Sequence, residues 1–424
     1  MSGAPPSGDR VVIVGAGPVG LMTALGLARR GVAVTVIERA GDVYRSPRAM
    51  GYHWGALYIL DDLGLLDDMM AAGFPAHGMR LHSLGGRRQV ELSMRVLRDS
   101  GAKWPHNLTL GQDRVAEITI EHLARHPHVD IAWRTEVTGF EADENGVRLR
   151  VRRAGRDFTV DAGWVVACDG ASSAIRRACG IAFEGMTWPT AFIATNVRGD
   201  FHALGFAANN YLLDPNHGAV IAKITSDDLW RVAISVSESL PEELVDDAVS
   251  RYLDAVLPAH FDRQVLARTK YRMHQRCATA LRHGRVFIAG DAAHATNPTS
   301  GYGLVGGLHD ANILSEALAA VVRGEAGEHI LDRYGKDRIE AFLEVSSPIS
   351  VASKRLIFDL PDESAVEREL DKLEALAAKD ETMLAFWRNG CQIETPSLVT
   401  GELLSAGRNG MAASSPRDPG PHRG

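Results

Sequence analysis

The sequence predicts an α/β protein in which a domain with a parallel sheet is interrupted by an inserted, mostly antiparallel sheet and followed by C-terminal helices. Residues 11–14, 18–30 and 32–37 have the pattern of a strand, a helix and a strand in close succession, which is typical of a βαβ unit. Two more short apolar runs, at 164–168 and 286–289, have the composition of buried parallel strands. Between these runs the chain changes to longer alternating strands, which favours an antiparallel sheet.

A glycine-rich loop joins the first predicted strand to the first predicted helix. Its residues, Gly15-Ala16-Gly17-Pro18-Val19-Gly20, form a G-x-G-x-x-G motif, in which the first two glycines permit a tight turn and the close approach of a pyrophosphate. An acid at the end of the second strand can accept a hydrogen bond from a ribose hydroxyl, and an acid there favours FAD or NAD over NADP. The sequence therefore predicts a Rossmann-like dinucleotide-binding domain. Its candidate cofactor-binding residues are Gly15, Gly17, Pro18, Val19, Gly20, Glu38 and Arg39.

Composition limits the classes of function. The 424 residues are enough for two or three domains, and the hydrophobic content of 45% is ordinary for a globular protein. A net charge of −7 argues against a nucleic-acid partner. The uncharged run 11–28 is interrupted by glycines and Pro18, so we expect no membrane association and a cytoplasmic location. Four scattered cysteines lack metal-ligand spacing, which predicts reduced thiols and no metal site.

The stretch 285–310 has the features of a second ligand-binding element. A buried strand ends at Gly290-Asp291, a loop rich in Pro, Thr, Ser and Gly follows, and residues 304–322 have helical periodicity. The acid can accept from a ligand hydroxyl, and the start of the helix favours negative charge. We therefore expect an anionic, planar ligand here.

The order of elements predicts the domain boundaries. The inserted sheet separates two parts of one nucleotide-binding domain, and a strand near 80–110 is a further candidate for that sheet. The expected division is 10–182 and 276–340 for the two parts of the dinucleotide-binding domain, 183–275 for the inserted sheet, 341–410 for the C-terminal helices and 411–424 for a disordered tail.

Three motifs together resemble the signatures of one family. G-A-G-P-V-G at 15–20, D-G-A-S-S-A-I-R at 169–176 and G-D-A-A-H at 290–294 are similar to those of FAD-dependent aromatic hydroxylases, the single-component class A flavoprotein monooxygenases of the para-hydroxybenzoate hydroxylase type. The resemblance implies a Rossmann-like FAD-binding domain of that fold. It also implies that the ADP half of FAD lies on the first motif and Glu38, and that the loop from Pro298 borders the flavin ring. The further cofactor-binding residues that it implies are Arg48, Gln112, Asp169, Asp291, Pro298, Gly301, Tyr302, Gly303 and Leu304.

The resemblance also implies an activity. Members use NADH or NADPH to reduce FAD, form a C4a-hydroperoxyflavin with O2 and hydroxylate a small aromatic substrate, either phenolic or heteroaromatic. The nicotinamide cofactor visits transiently, and relatives often form homodimers. A helix N-terminus with backbone N–H groups near Gly301 and Gly303 suits the anionic ring of reduced flavin. A second G-x-G-x-x-G at 301–306 lacks a preceding strand, which argues against a separate nicotinamide-binding domain.

Substrate residues are less well marked than cofactor residues. Tyr211 is the candidate catalytic residue, although packing alone also explains a tyrosine there. Tyr302 and Val305 replace polar residues that are common in the family, which predicts a more apolar pocket. His294 is expected to be structural, and His53 is expected either in the core or in the pocket. The candidate substrate-pocket residues are Asn297, Pro298, Tyr211, His217 and Arg231.

Other functions remain open alongside the monooxygenase hypothesis. Arg48 could contact a cofactor phosphate or could be a solvated charge. A flavin halogenase shares the fold, but the Trp-x-Trp-x-Ile-Pro signature of halogenases is absent. A flavin-linked reductase acting on a lipid or isoprenoid, and a non-enzymatic FAD-binding protein, are the remaining alternatives.

Overall fold

The protein was analysed as a computed structural model, which describes residues 10–45, 50–225 and 227–405. Arg48 and the predicted disordered tail, 411–424, lie outside the described residues. The strands, in chain order, are β1 (Val11–Val14), β2 (Val34–Ile37), β3 (Gly51–Tyr52), β4 (Phe74–Ala76), β5 (Gly78–Ser83), β6 (Gln89–Ser93), β7 (Asn107–Thr109), β8 (Val129–Ala132), β9 (Thr135–Ala142), β10 (Val147–Arg153), β11 (Arg156–Ala162), β12 (Trp164–Ala167), β13 (Phe183–Arg198), β14 (Asn209–Leu213), β15 (Ala219–Lys223), β16 (Leu229–Ser237), β17 (Gln264–Ala278), β18 (Arg282–His283), β19 (Val286–Ile288) and β20 (His294–Ala295). The helices are α1 (Pro18–Ala28), α2 (Leu57–Asp62), α3 (Leu66–Ala72), α4 (Arg95–Asp99), α5 (Gln112–Leu123), α6 (Ala174–Ala178), α7 (Val245–Val256), α8 (Tyr302–Val322), α9 (Asp332–Ala341), α10 (Ser347–Phe358), α11 (Glu363–Ala377) and α12 (Asp380–Asn389).

A six-stranded sheet of order β18-β19-β12-β1-β2-β8 forms the centre of the nucleotide-binding domain. Its strands are parallel except for β18 at one edge. Strands β1, β12 and β19 are buried along their whole length, as expected for short apolar strands with helices on their faces. Helix α1 packs against α5 and α8. The carboxyl ends of β1, β12 and β19 therefore meet at one edge, where ligands bind in sheets of this kind.

An eight-stranded sheet of order β20-β17-β13-β16-β15-β14-β5-β6 forms the second layer. Most of its pairs are antiparallel, and the long strands β13 and β17 pair along nearly their whole length. Strand β5 joins it by parallel pairing with β14, so that residues 78–93 supply two strands from well before the insertion. The predicted class, an α/β protein with an inserted, mostly antiparallel sheet and C-terminal helices, is confirmed.

The remaining elements flank these two sheets. Strands β9–β11 form a small antiparallel sheet whose Arg148 and Arg152 side chains are exposed and paired with Asp161 and Asp157 on the neighbouring strand. Helix α11 packs on β6 and α12 packs on α4, which brings the C-terminal helices onto the edge of the eight-stranded sheet. None of the helices in the described part of the chain is both long and apolar enough to span a bilayer.

Candidate active site

A cavity of about 1440 Å³ lies between the carboxyl edge of the parallel sheet and the eight-stranded sheet. It exceeds the roughly 300–1,000 Å³ of a pocket for one drug-sized ligand, so it has room for a dinucleotide and a second molecule. All three sequence motifs line it. The residues of the second and third motifs that line it are Asp169, Gly170, Ala171, Ser172, Ala174, Ile175, Gly290 and Asp291.

The first glycine loop has the geometry that a pyrophosphate needs. Gly15 has a φ of +109°, and a Cβ atom there would overlap the carbonyl oxygen of Cys168. A Cβ at Gly20 would overlap the carbonyl oxygen of Gly15, whereas no atom lies within 4 Å of the Cβ position of Gly17. Gly15 and Gly20 are therefore required for packing, and Gly17 leaves room for a ligand. Pro18 begins α1, and Val19 both lines the cavity and packs beneath Gly290.

Glu38 follows the last residue of β2 and accepts a hydrogen bond from the glycine loop. One carboxylate oxygen accepts from the backbone N–H of Ala16 at 2.8 Å, and the other accepts from the N–H of Ala40 at 2.8 Å. A carboxylate has about four acceptor sites, so Glu38 can still accept from ribose hydroxyls. The exposed Arg39 lines the same part of the cavity.

Asp169 is the clearest sign that this half of the cavity binds a hydrogen-bond donor. Its Oδ2 accepts from the N–H groups of Ala174 (2.8 Å) and Ile175 (3.2 Å) at the start of α6. Its Oδ1 is buried and has no hydrogen-bond partner in the described chain, an arrangement that is costly unless a ligand supplies the donor. Asp291 and Gln112 line the same cavity, and Gln112 is the first residue of α5. These residues fit FAD.

The loop at the other end of the cavity is held by side chains from distant parts of the chain. A short 3-10 turn, Pro298–Ser300, ends at Gly301, which has a φ of +76°, and α8 starts at Tyr302. The Tyr211 hydroxyl donates to the carbonyl oxygen of Thr299 at 3.2 Å. His53 Nε2 lies 2.9 Å from the carbonyl oxygen of Ser300, so this nitrogen carries the proton and donates it. Hydrogen bonds from Tyr211 and His53 therefore fix the backbone of this loop before a ligand binds.

The buried side chain of Asn297 forms a hydrogen bond with the backbone of this loop. The sequence predicts Asn297 in the substrate pocket, whereas in the structure the residue is fully buried and is not part of the cavity lining. Its side-chain oxygen accepts from the N–H of Thr299 at 3.2 Å, and its Nδ2 donates to Gln275 Oε1 at 3.2 Å. Pro298, Gly301, Tyr302, Gly303 and Leu304 do line the cavity.

A buried charge network fixes the third motif, as was expected for His294. Asp310 accepts from His294 Nε2 at 2.7 Å, from Arg338 Nε at 2.8 Å and from the backbone N–H of Gly290 at 2.9 Å. Asp310 and Arg338 are almost fully buried. The neighbouring Arg338 and His294 hold the pKa of Asp310 well below its usual range, although burial acts in the opposite direction.

Tyr302 connects this loop to the C-terminal part of the chain. Its buried ring meets His53 edge-on, with 4.6 Å between ring centroids. Its hydroxyl occupies the space that a side chain at position 390 would need, which explains Gly390. Burial lowers the pKa of His53 to about 4, so its imidazole is neutral at pH 7. The buried Val305 adds no polar group to this end of the cavity.

The eight-stranded sheet forms the far half of the cavity. Its lining is mostly apolar, and the polar exceptions include Tyr211 and Arg231. Burial raises the pKa of Tyr211 to about 12, so this residue remains protonated at neutral pH and can orient a substrate rather than act as a base. Arg231 is nearly buried and donates from Nε to Asn196 Oδ1 at 2.8 Å, and burial lowers its pKa to about 10. The apolar lining residues are Leu81, Leu92, Phe192, Ala194, Val220, Ala222, Ala233 and Met273.

His217, which the sequence predicts in the substrate pocket, is not part of the cavity lining. Its ring nitrogen Nδ1 lies 3.2 Å from Asp214 Oδ1, and its carbonyl oxygen accepts from the Tyr252 hydroxyl at 2.8 Å. The turn after β14 therefore directs His217 away from the lining. Sequence reasoning left His53 undecided and missed the C-terminal wall, which includes Ile349, Leu356, Leu373, Phe386 and Trp387. Within the described residues, no cluster of His, Cys, Asp or Glu could hold a metal ion.

Comparison with known proteins defines the class. Residues 9–345 match the family model described as FAD binding domain. The chain is 37% identical over 391 residues to 6-hydroxy-3-succinoylpyridine 3-monooxygenase of Pseudomonas putida (strain DSM 28022 / S16), covering 89% of this chain and 99% of the relative. It is 37% identical over 348 residues to para-nitrophenol 4-monooxygenase of Pseudomonas sp. (strain WBC-3), covering 81% and 86%. The crystal structure of p-nitrophenol 4-monooxygenase from Pseudomonas putida DLL-E4 superimposes with a TM-score of 0.87 at 34% identity, covering 90% of this chain and 97% of that one.

The chain belongs to this FAD-binding family of aromatic hydroxylases. It is an FAD-dependent monooxygenase that uses a reduced nicotinamide cofactor and O2 on a small aromatic substrate, as the three motifs indicated.

Proposed function

We propose that the substrate is a single-ring phenol or hydroxypyridine that carries an electron-withdrawing or anionic group. The observation that supports this most strongly is the charge of the cavity walls. The carboxylates that line the cavity all come from the nucleotide-binding domain, namely Glu38, Asp42, Glu136, Asp169 and Asp291. Among the described residues of the eight-stranded sheet that line the cavity, Arg231 and Arg272 are basic and none is acidic. The names of the two monooxygenase relatives, which specify a nitrophenol and a hydroxypyridine with a succinoyl group, agree with such a substrate.

Two side chains of the far half are suited to orient this substrate. The Tyr211 hydroxyl donates its proton to the Thr299 carbonyl, so its oxygen can accept from the ring hydroxyl of a substrate molecule that is still protonated. The nearby Arg231 cation favours the ionised form of that hydroxyl or binds an anionic substituent. An ionised hydroxyl makes the ring more electron-rich, which an oxygen transfer to the ring requires. The apolar residues around them exclude water from the reaction.

Bound FAD supplies the electron transfer and the activation of oxygen. The chain's own contribution at the ring end is the start of α8, where the positive end of the helix dipole favours negative charge on a bound ring system. His53 and Tyr211 hold the carbonyls of the preceding turn, so these groups need little reorganisation during the reaction.

We further propose that the reduced nicotinamide cofactor docks in a second cleft, of about 460 Å³. This cleft shares Ala171, Ser172, Arg177, Arg272 and His274 with the main cavity. Its walls also carry Arg176 and Arg276, whose buried Nε atoms have no hydrogen-bond partner among the described residues. Clustered guanidinium groups beside the flavin site suit the phosphates of a dinucleotide.

The test is anaerobic mixing of the purified holoenzyme with NADH or NADPH, followed by admission of air. We expect 4-nitrophenol or a hydroxypyridine carboxylate to accelerate flavin bleaching and to be hydroxylated, whereas 4-methylphenol has a much smaller effect. Equal acceleration by 4-methylphenol would contradict the proposed role of the cationic wall.

A further inference from the structure

One wall of the cavity is built by the C-terminal helices, beyond residue 345 where the family match ends. Helix α10 packs across β14 and β15 and also contacts the Pro298–Ser300 turn. Helix α11 continues this wall along the edge strand β6, and α12 packs against α11 and α4. Leu356 of α10, Leu373 of α11 and Phe386 of α12 line the cavity. The substrate side of the cavity is therefore completed by a segment outside the motifs.

Helix α11 is fastened to the sheet by one arginine. Arg88, just before β6, forms ion pairs with Glu367 (2.5 Å), Glu374 (2.7 Å) and Asp371 (2.9 Å). These acids lie at positions i, i+4 and i+7, which is one face of the helix. Single exposed pairs contribute little, but three carboxylates on one guanidinium fix the helix in register against the sheet.

Helix α12 is anchored through Trp387. The indole N–H of Trp387 donates to the carbonyl oxygen of Ser93 at 3.0 Å, and the carbonyl oxygen of Trp387 accepts from the indole N–H of Trp54 at 3.2 Å. Trp387 is 8% exposed and belongs to a hydrophobic cluster with residues of β5 and β6. The backbone at this position is therefore fixed.

The neighbouring residue, Phe386, has a different environment. It lines the cavity but is 37% exposed, so it lies where the cavity meets solvent. Its ring packs edge-on against that of Trp387, with 5.1 Å between centroids. Because the backbone next to it is fixed by Trp387, Phe386 places a large apolar ring in the mouth of the cavity.

We propose that Phe386 sets the largest ring substituent that the cavity admits, so that substrate size is selected by the C-terminal helices. This inference rests on the proposed function, in which the substrate is a single-ring phenol or hydroxypyridine. Removal of the Phe386 ring leaves space for several more carbon atoms of a substrate at the mouth of the cavity. A larger ring system at position 386 reduces that space. The two changes should therefore move the size preference in opposite directions.

The experiment measures dissociation constants of 4-methylphenol, 4-ethylphenol and 4-propylphenol on the oxidised holoenzyme, from the change in flavin absorption on titration. For Phe386→Ala we expect the ratio of the 4-propylphenol constant to the 4-methylphenol constant to fall about tenfold, since one or two methylenes in an apolar pocket discriminate by roughly 10- to 200-fold. For Phe386→Trp the ratio should rise.

The matched control is Phe158→Ala, which removes a 44% exposed phenylalanine from β11, outside the cavity. It should leave the ratio within about twofold of wild type. A Phe386→Ala protein with the same ratio as this control, or one that weakens all three phenols equally, would overturn the inference while leaving the proposed function intact. If wild-type enzyme binds none of the phenols and none of the acceptor-substituted substrates, the proposed function itself fails.

Discussion

Replacement of Arg231 by Gln removes a buried cation of the eight-stranded sheet from the cavity wall. A guanidinium has five N–H donors, and the Nε–H of Arg231 is donated to Asn196. A hydrogen bond from this cation to an anionic substrate is worth about 1.5–3 kcal/mol, which corresponds to a loss of roughly 10- to 150-fold in affinity. Because burial leaves the pKa of Arg231 at about 10, the side chain is charged at pH 8, where 4-nitrophenol is ionised.

The assay is titration of the oxidised holoenzyme at pH 8 with 4-nitrophenol and with 4-methylphenol, which is neutral at that pH. We expect Arg231→Gln to weaken binding of 4-nitrophenol by the factor above and to change binding of 4-methylphenol by less than threefold. Arg268→Gln is the control, since Arg268 lies on β17 of the same sheet but pairs with Glu242 and Asp246 outside the cavity. Equal losses for both ligands would refute the reasoning, because they would indicate damage to the pocket rather than loss of a charge.

Three further predictions concern the cofactors and the buried network. Asp291→Ala should greatly weaken FAD retention, measured as the flavin-to-protein ratio after gel filtration, and a variant with stoichiometric flavin would contradict the assignment. Arg276→Gln should raise KM for NADH or NADPH about tenfold with little change in the reduction rate at saturation, whereas the exposed Arg148→Gln should change neither. Asp310→Asn should destabilise the fold by roughly 3–5 kcal/mol, because it leaves Arg338 buried without its carboxylate. The pKa of Asp310 is lower in the folded state than in the unfolded state. Its contribution to the stability of the wild type is therefore fully present above the unfolded-state pKa, near 4, and is lost as the pH falls further. Urea titrations of the variant at pH 3–7 should lack this contribution.

The cofactor half of the site could be predicted because its signals are local in sequence. The Gly15–Gly20 loop, Glu38 and the Asp169 turn each follow a strand directly, and the backbone geometry at those turns depends on neighbouring residues. The fold class followed from the same strands. The predicted homodimer, the cytoplasmic location and the contact of Arg48 with the cofactor remain predictions.

The substrate half depends on contacts between distant residues, which no local pattern marks. The burial of Asn297 could not be foreseen because its side chain bonds to Gln275, on a strand of the other layer. Similarly, the hydrogen bond from Trp54 to Trp387 joins residues 333 positions apart. A side chain that precedes a turn can point either way, so the sequence left His53 undecided, and its bond to Ser300 is visible only in the structure.

We propose that the enzyme transfers one atom of O2 to an aromatic substrate held against Tyr211 and Arg231. Turnover of 4-nitrophenol with NADH or NADPH under 18O2, followed by mass spectrometry of the aromatic product, tests it most directly. We expect one 18O atom in the product hydroxyl, with the second atom released in water. Consumption of the nicotinamide cofactor with no labelled aromatic product from any acceptor-substituted phenol or hydroxypyridine would contradict it.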